Sequence, residues 1–106
     1  MNSRLFGSAL RTDVLVAIAR VGETYAAELA ALLGRRPVEI QRAVASLELA
    51  GAVASRRRGT VRLVALDPRF PAAGELRALL LAMSESPHYA RRWNVRRRPR
   101  AMGKPL

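Results

Sequence analysis

The stretch that most constrains this chain is residues 24–66, TYAAELAALLGRRPVEIQRAVASLELAGAVASRRRGTVRLVAL. It sets two short helical patterns on either side of a glycine, then two β-rich runs around a tip with three consecutive arginines. Leu29, Leu32 and Leu33 give the first pattern its apolar stripe, and Gly34 stops it by offering a left-handed residue. Pro37, favoured in a first helical turn, opens the second pattern, which runs to Ala50 before Gly51. Taking Ile40 as origin, an advance of about 100° per residue puts Ala43, Val44, Leu47 and Gly51 on its side. Val38, Arg42, Ala45 and Leu49 fall opposite, flanked by Glu39, Gln41 and Ser46. Such a unit can lay one helix in a nucleic-acid groove and a positive strand pair over the backbone.

The flanks read as support. Ser8 is placed to cap a helix over residues 8–20, with Leu10, Val14, Leu15, Ile18 and Ala19 at helical spacing and Gly22 beyond. Leu5 and Phe6 can fold back on its first turn. Thr24 either caps the helix that starts at Ala26 or joins Tyr25 in a short strand. The hairpin is expected as Ala52–Arg57 and Thr60–Leu66 about Arg58-Gly59. Its second strand does not alternate cleanly, which points to cover on both faces. A last helix is expected over Ala72–Ser84, with Leu76, Leu79, Leu80 and Met83 as its stripe and Leu81 off it. The expected domain therefore covers residues 4–84, with a basic tail over 85–106 that is mobile without a partner. Tyr89 and Trp93 can pin the start of that tail to the body or stack on bases.

Charge narrows the function. The net charge is +11, and all basic residues except Lys104 are arginine, a bias typical of GC-rich bacterial genomes. Residues 87–106 carry Arg91, Arg92, Arg96, Arg97, Arg98, Arg100 and Lys104 with no acid, which leaves a mildly basic body and a strongly basic tail. That asymmetry suggests a polyanion partner, with a merely solubilising surface as the plain alternative. There is no cysteine, and His88 is the single histidine. Thiolate and clustered-histidine metal sites are thereby excluded, no cofactor is implied, and a reducing cytoplasm fits. No leader is apparent, and no apolar run approaches the roughly 20 residues of a membrane helix. No phosphate loop or paired-carboxylate pattern supports an enzyme.

RPVEIQRAVASLELAGAV at 36–53 resembles the recognition helix of bacterial winged-helix repressors, and AELAALLG at 27–34 resembles the first helix of their motif. LFGSALRTDVLVAIA and LDPRFPAAGELRALLLAM are similar to the opening and closing segments of small ArsR- or MarR-like members. The resemblance implies a mainly helical α+β winged helix-turn-helix fold. It also implies a three-helix core, a two-stranded wing and a C-terminal dimerisation helix. It further implies a DNA-binding transcriptional regulator, homodimeric and nucleoid-associated, with double-stranded DNA as partner. Carried over position by position, the groove-facing residues are Pro37, Val38, Glu39, Gln41, Arg42, Ala45 and Ser46. Leu76, Leu79, Leu80 and Met83 would cross the two-fold axis or, alternatively, cap the monomer core.

Each candidate contact has a specific chemistry. The fork of Arg42 can bridge O6 and N7 of guanine, or bind phosphate or Glu39. Gln41 suits adenine and Val38 a thymine methyl. Glu39 either accepts from cytosine or favours the positive helix N-terminus. Arg35 and Arg36 suit phosphates. Arg56, Arg57, Arg58 and Arg62 make the hairpin fit for the backbone or a narrow minor groove, or serve as edge protection. Arg96, Arg97, Arg98 and Arg100, in RRRPR, suit phosphate contacts. Two other readings remain: a protein-interaction module using Val38, Ala45 and Leu49, and RNA or ribosome binding led by the tail.

Overall fold

The computed structural model describes residues 5–93. The described order is α1 (Ala9–Val21), α2 (Ala26–Leu33), α3 (Pro37–Leu49), β1 (Val53–Arg58), β2 (Val61–Leu66) and α4 (Ala73–Ser84). A further helical segment, here α5, covers residues 87–93. The elements from Ala9 to Ser84 match the expected ones within one or two residues, whereas α5 falls in the segment expected as tail.

Helix α1 is the axis of the molecule. Ser8 caps it by accepting from the Arg11 amide at 3.1 Å. From Thr12 to Ala19 every residue is buried, because α2, α3, α4 and β2 all pack on it. A helix without a polar face is covered on all sides, and its alanines and valines let neighbours approach closely. The expected stripe of Leu10, Val14, Leu15, Ile18 and Ala19 is thus only part of its buried surface.

Gly34, at φ 66° and ψ 37°, takes the left-handed turn that ends α2. Tyr25 occupies the N-cap position of α2, while Thr24 goes to the sheet. Thr24 and Val64 exchange backbone hydrogen bonds of 2.9 and 2.7 Å. β2 therefore has a neighbour on each edge at Val64, which explains the irregular polarity of residues 63–66. The strands pair antiparallel from Val53↔Leu66 to Arg58↔Val61. The two-residue loop is Gly59-Thr60, one residue later than expected. A hairpin turn with positive φ at its first position alone needs glycine there, and Gly59 supplies φ 63°.

Helix α4 is rolled relative to the expectation. Leu80 and Met83 are buried in the core of this same chain, Leu76 and Leu81 are half-buried, and Leu79 is 45% exposed. Ser84 is also buried, and its carbonyl accepts from Trp93 Nε1 at 2.6 Å. Of the four residues assigned to a dimer interface, Leu80 and Met83 are thus occupied internally.

The expected boundary at residue 84 also moves outward. α5 packs on the body through Tyr89 and Trp93, which are 0% and 2% exposed. Their rings lie parallel, 6.0 Å apart. Tyr89 Oη donates to Asp13 Oδ1 on α1 at 2.6 Å. The anchoring alternative for the two aromatics is the one realised, and it is a core contact. The tail positions Arg96, Arg97, Arg98 and Arg100 lie outside the described residues.

Burial and the Asp13 carboxylate raise the Tyr89 phenol well above its ordinary pKa. A raised folded-state pKa means stability that is whole below the unfolded value and lost as pH rises past it. Wild-type stability, followed by denaturant unfolding, should therefore fall above about pH 10. Tyr89→Phe should lack that alkaline limb, and at neutral pH should cost about 1–3 kcal/mol for the orphaned Asp13 oxygen. An unchanged midpoint would refute the role of this bond.

Candidate nucleic-acid interface

Helix α3 divides as its periodicity requires. Ile40, Ala43, Val44 and Leu47 are buried, and Pro37, Val38, Gln41, Arg42, Ala45 and Leu49 are exposed. The outward residues then separate into two flanks. Gln41 and Ala45 share a cleft of about 270 Å³ with Arg62 of β2. Arg42 and Ser46 border a hollow of about 320 Å³ on the other side, with Ser8 and Arg11 of the α1 start. Helix α3 is therefore a ridge with the wing on one side and the start of α1 on the other. Arg11, which sequence reasoning passed over, belongs to this rim. Its side chain lies against Gly7.

Glu39 is a capping residue. It accepts from the Arg36 amide at 3.2 Å and from Arg35 Nε at 3.1 Å. These bonds, the Arg35 bond first, hold its carboxyl below the usual range. The reading as a helix N-terminal anion is the one realised. Arg35 is thereby partly neutralised, while the Arg36 side chain stays largely in solvent.

The wing arginines fall into two pairs. Arg56 makes a two-pronged contact with Glu23, at 2.8 and 3.0 Å, which lowers the Glu23 pKa. Arg62 donates to Ser55 Oγ at 2.9 Å and lies 3.5 Å from Glu48 Oε1. Ser55 in turn donates to Glu48 at 2.5 Å. Glu23 and Glu48 belong to the α1–α2 loop and to α3, so these bonds brace the hairpin against the helices. No local signal marked the two glutamates, because their partners are distant in sequence. Arg57 and Arg58 are exposed and make no ion pair among the described residues. Arg42 is likewise exposed and unpaired among them. Arg57 faces Arg62 directly across the strands, a like-charge pair that a bound anion relieves.

Solved structures resemble this arrangement over most of the chain. The AntR antimony-specific transcriptional repressor superposes with a TM-score of 0.61 at 22% identity, over 77% of this chain and 72% of its own. The adhesin competence repressor AdcR of Streptococcus pyogenes gives 0.61 at 17% identity, over 92% of this chain and 66% of its own. The chain has the winged helix-turn-helix fold. A ZitR variant of Lactococcus lactis in complex with DNA gives 0.56 at 18% identity, over 74% of this chain. This chain spans between 48% and 66% of the length of the ZitR structures. No protein-family model matches the sequence, and no curated protein matches it. Among the described residues no helix is long and apolar enough to cross a membrane.

If Glu48 braces the wing, Glu48→Gln should speed amide exchange in β1 and β2 several-fold. Global stability should change by no more than about 1 kcal/mol, as for a partly exposed ion pair. Identical exchange in both proteins would mean that the hairpin holds itself.

Proposed function

We propose that this chain binds double-stranded DNA as a transcriptional regulator, with α3 in the major groove and the wing on the backbone or minor groove. The supporting observation is the sorting of charge. Among the described residues Arg42, Arg57 and Arg58 make no ion pair, while Arg35, Arg56 and Arg62 are tied to acids. The likeness to a structure bound to DNA and to repressors supports the same reading. Occupancy of a promoter by such a protein blocks or recruits polymerase, which needs no catalytic group, and places it with the nucleoid in the cytoplasm. A homodimer would pair through the outer face of α4, where Leu79 and half-buried Leu76 remain available. The antimony response of AntR does not carry over, since soft metalloids favour thiolates and the sequence has no cysteine.

A second reading rests on Leu49, which is 91% exposed, together with Val38 at 42%. That apolar line on α3 suits a protein partner. It extends to the C-terminal end of the helix, whereas groove contacts of such helices concentrate near the N-terminus.

Fluorescence anisotropy on the upstream DNA of the gene and on a random duplex, at low and near-physiological salt, tests the proposal. The wild type should retain upstream preference at the higher salt. Arg42→Ala should lose about 1–3 kcal/mol of that preference. The double substitution of Arg57 and Arg58 to Ala should weaken both duplexes alike and flatten the salt slope by nearly 2, at about 0.9 per phosphate. Equal wild-type binding to both duplexes that vanishes with salt would overturn site-specific regulation and favour the protein-partner reading.

A further inference from the structure

Helix α5 separates its residues by chemistry. Tyr89 and Trp93 turn inward and are buried. His88, Arg91 and Arg92, at the i, i+3, i+4 spacing of one helical face, line a cleft of about 540 Å³. The other wall of the cleft is the end of α2, including Leu32, Leu33 and Gly34. Gly34 is the turn residue immediately before Arg35 and Arg36. The cationic face of α5 therefore borders the turn of the helix-turn-helix itself.

Counter-charge on this face is scarce. No acidic residue follows Glu85 in the sequence. Asp13 turns Oδ1 to Tyr89 and Oδ2 to Arg92, the latter at 3.8 Å, so Arg92 is loosely paired. Arg91 is exposed and makes no ion pair among the described residues. The buried Tyr89 and Trp93 hold these side chains on a fixed helix, so little ordering remains to be done on binding.

We propose that Arg91, with His88 and Arg92 beside it, forms a phosphate-binding subsite for the duplex, next to the turn that precedes α3. This rests on the DNA reading above. Helix α2 joins β2 at its start, through the Thr24–Val64 bridge, and meets α5 at its end. Its eight residues span roughly 12 Å at about 1.5 Å per residue, of the order of a major-groove width. A groove that receives α3 has one phosphate strand along each edge. Arg36 and the cationic face of α5 both border the turn at the start of α3, where one of those phosphate strands would pass.

Salt-dependent binding of the full chain to a random duplex tests this. Arg91→Gln should raise Kd several-fold and flatten the slope of log Kd against log salt by about 0.9, the value of one phosphate. Arg91→Lys, which keeps the charge, should retain the wild-type slope. Arg77→Gln, an exposed arginine of α4, should leave the slope unchanged. The near-UV signal of Trp93 checks that α5 stays docked in each variant. If Arg91→Gln keeps the wild-type slope while the Arg57, Arg58 double variant loses its share, the subsite is refuted and the DNA reading stands. If Arg77→Gln costs as much as Arg91→Gln, net charge alone is at work and the subsite is refuted. A wild type that binds no duplex overturns both.

Discussion

The structure depends on burying α1 completely. Eight successive residues, Thr12 to Ala19, are shielded from water, so the helix is stable only when every other element is in place around it. That requirement brings in a polar problem, since Asp13 lies near the start of the buried run and is 8% exposed. A carboxylate left there without partners costs several kcal/mol. Tyr89 and, more loosely, Arg92 answer it from the far end of the chain. The ordering of α5 follows from that demand as much as from its aromatic residues. In turn the anchored α5 is tied to the end of α4 through the Trp93 bond to the Ser84 carbonyl.

The same economy governs the charged surface. With twelve basic residues before position 87 and only eight acids, the acids decide which arginines remain available. Glu39, Glu23 and Glu48 are spent on Arg35, Arg56 and Arg62, and Asp67 on Arg69. Each pair is partly exposed and contributes little to stability by itself. What the pairs do is hold positions: Glu39 fixes the start of α3, while Glu23 and Glu48 fix the hairpin relative to it.

Much of this fold is legible in the sequence because the decisive signals are local. Gly34 and Pro37 bracket the turn, and the period of Ile40, Ala43, Val44 and Leu47 sets the phase of α3 to the right face. The wing follows from arginines and β-branched residues around Gly59. The misread parts share one physical cause, which is dependence on distant partners. Leu76, Leu79, Leu80 and Met83 fit a helical stripe equally well whether the far side is a second copy or α1, and only the packed neighbours separate the two. α5 was hidden by composition, since prolines and cations outweighed two aromatic residues four apart, and the Asp13 that receives Tyr89 lies 76 residues away. The division of the wing arginines into bound and free likewise rests on Glu23, 33 residues from Arg56.

That division explains how a short hairpin can serve as a binding element. A two-stranded ribbon is marginal in water on its own, and a floppy wing would lose affinity to the entropy of ordering it at each encounter. Arg56 and Arg62 take up that cost within the folded chain by tying both strands to helices. Arg57 is then held opposite Arg62, whose charge Glu48 offsets, and Arg58 beside the tip. The arginines that brace the hairpin, Arg56 and Arg62, thus differ from Arg57 and Arg58, which make no ion pair among the described residues, so the two sets can be altered separately.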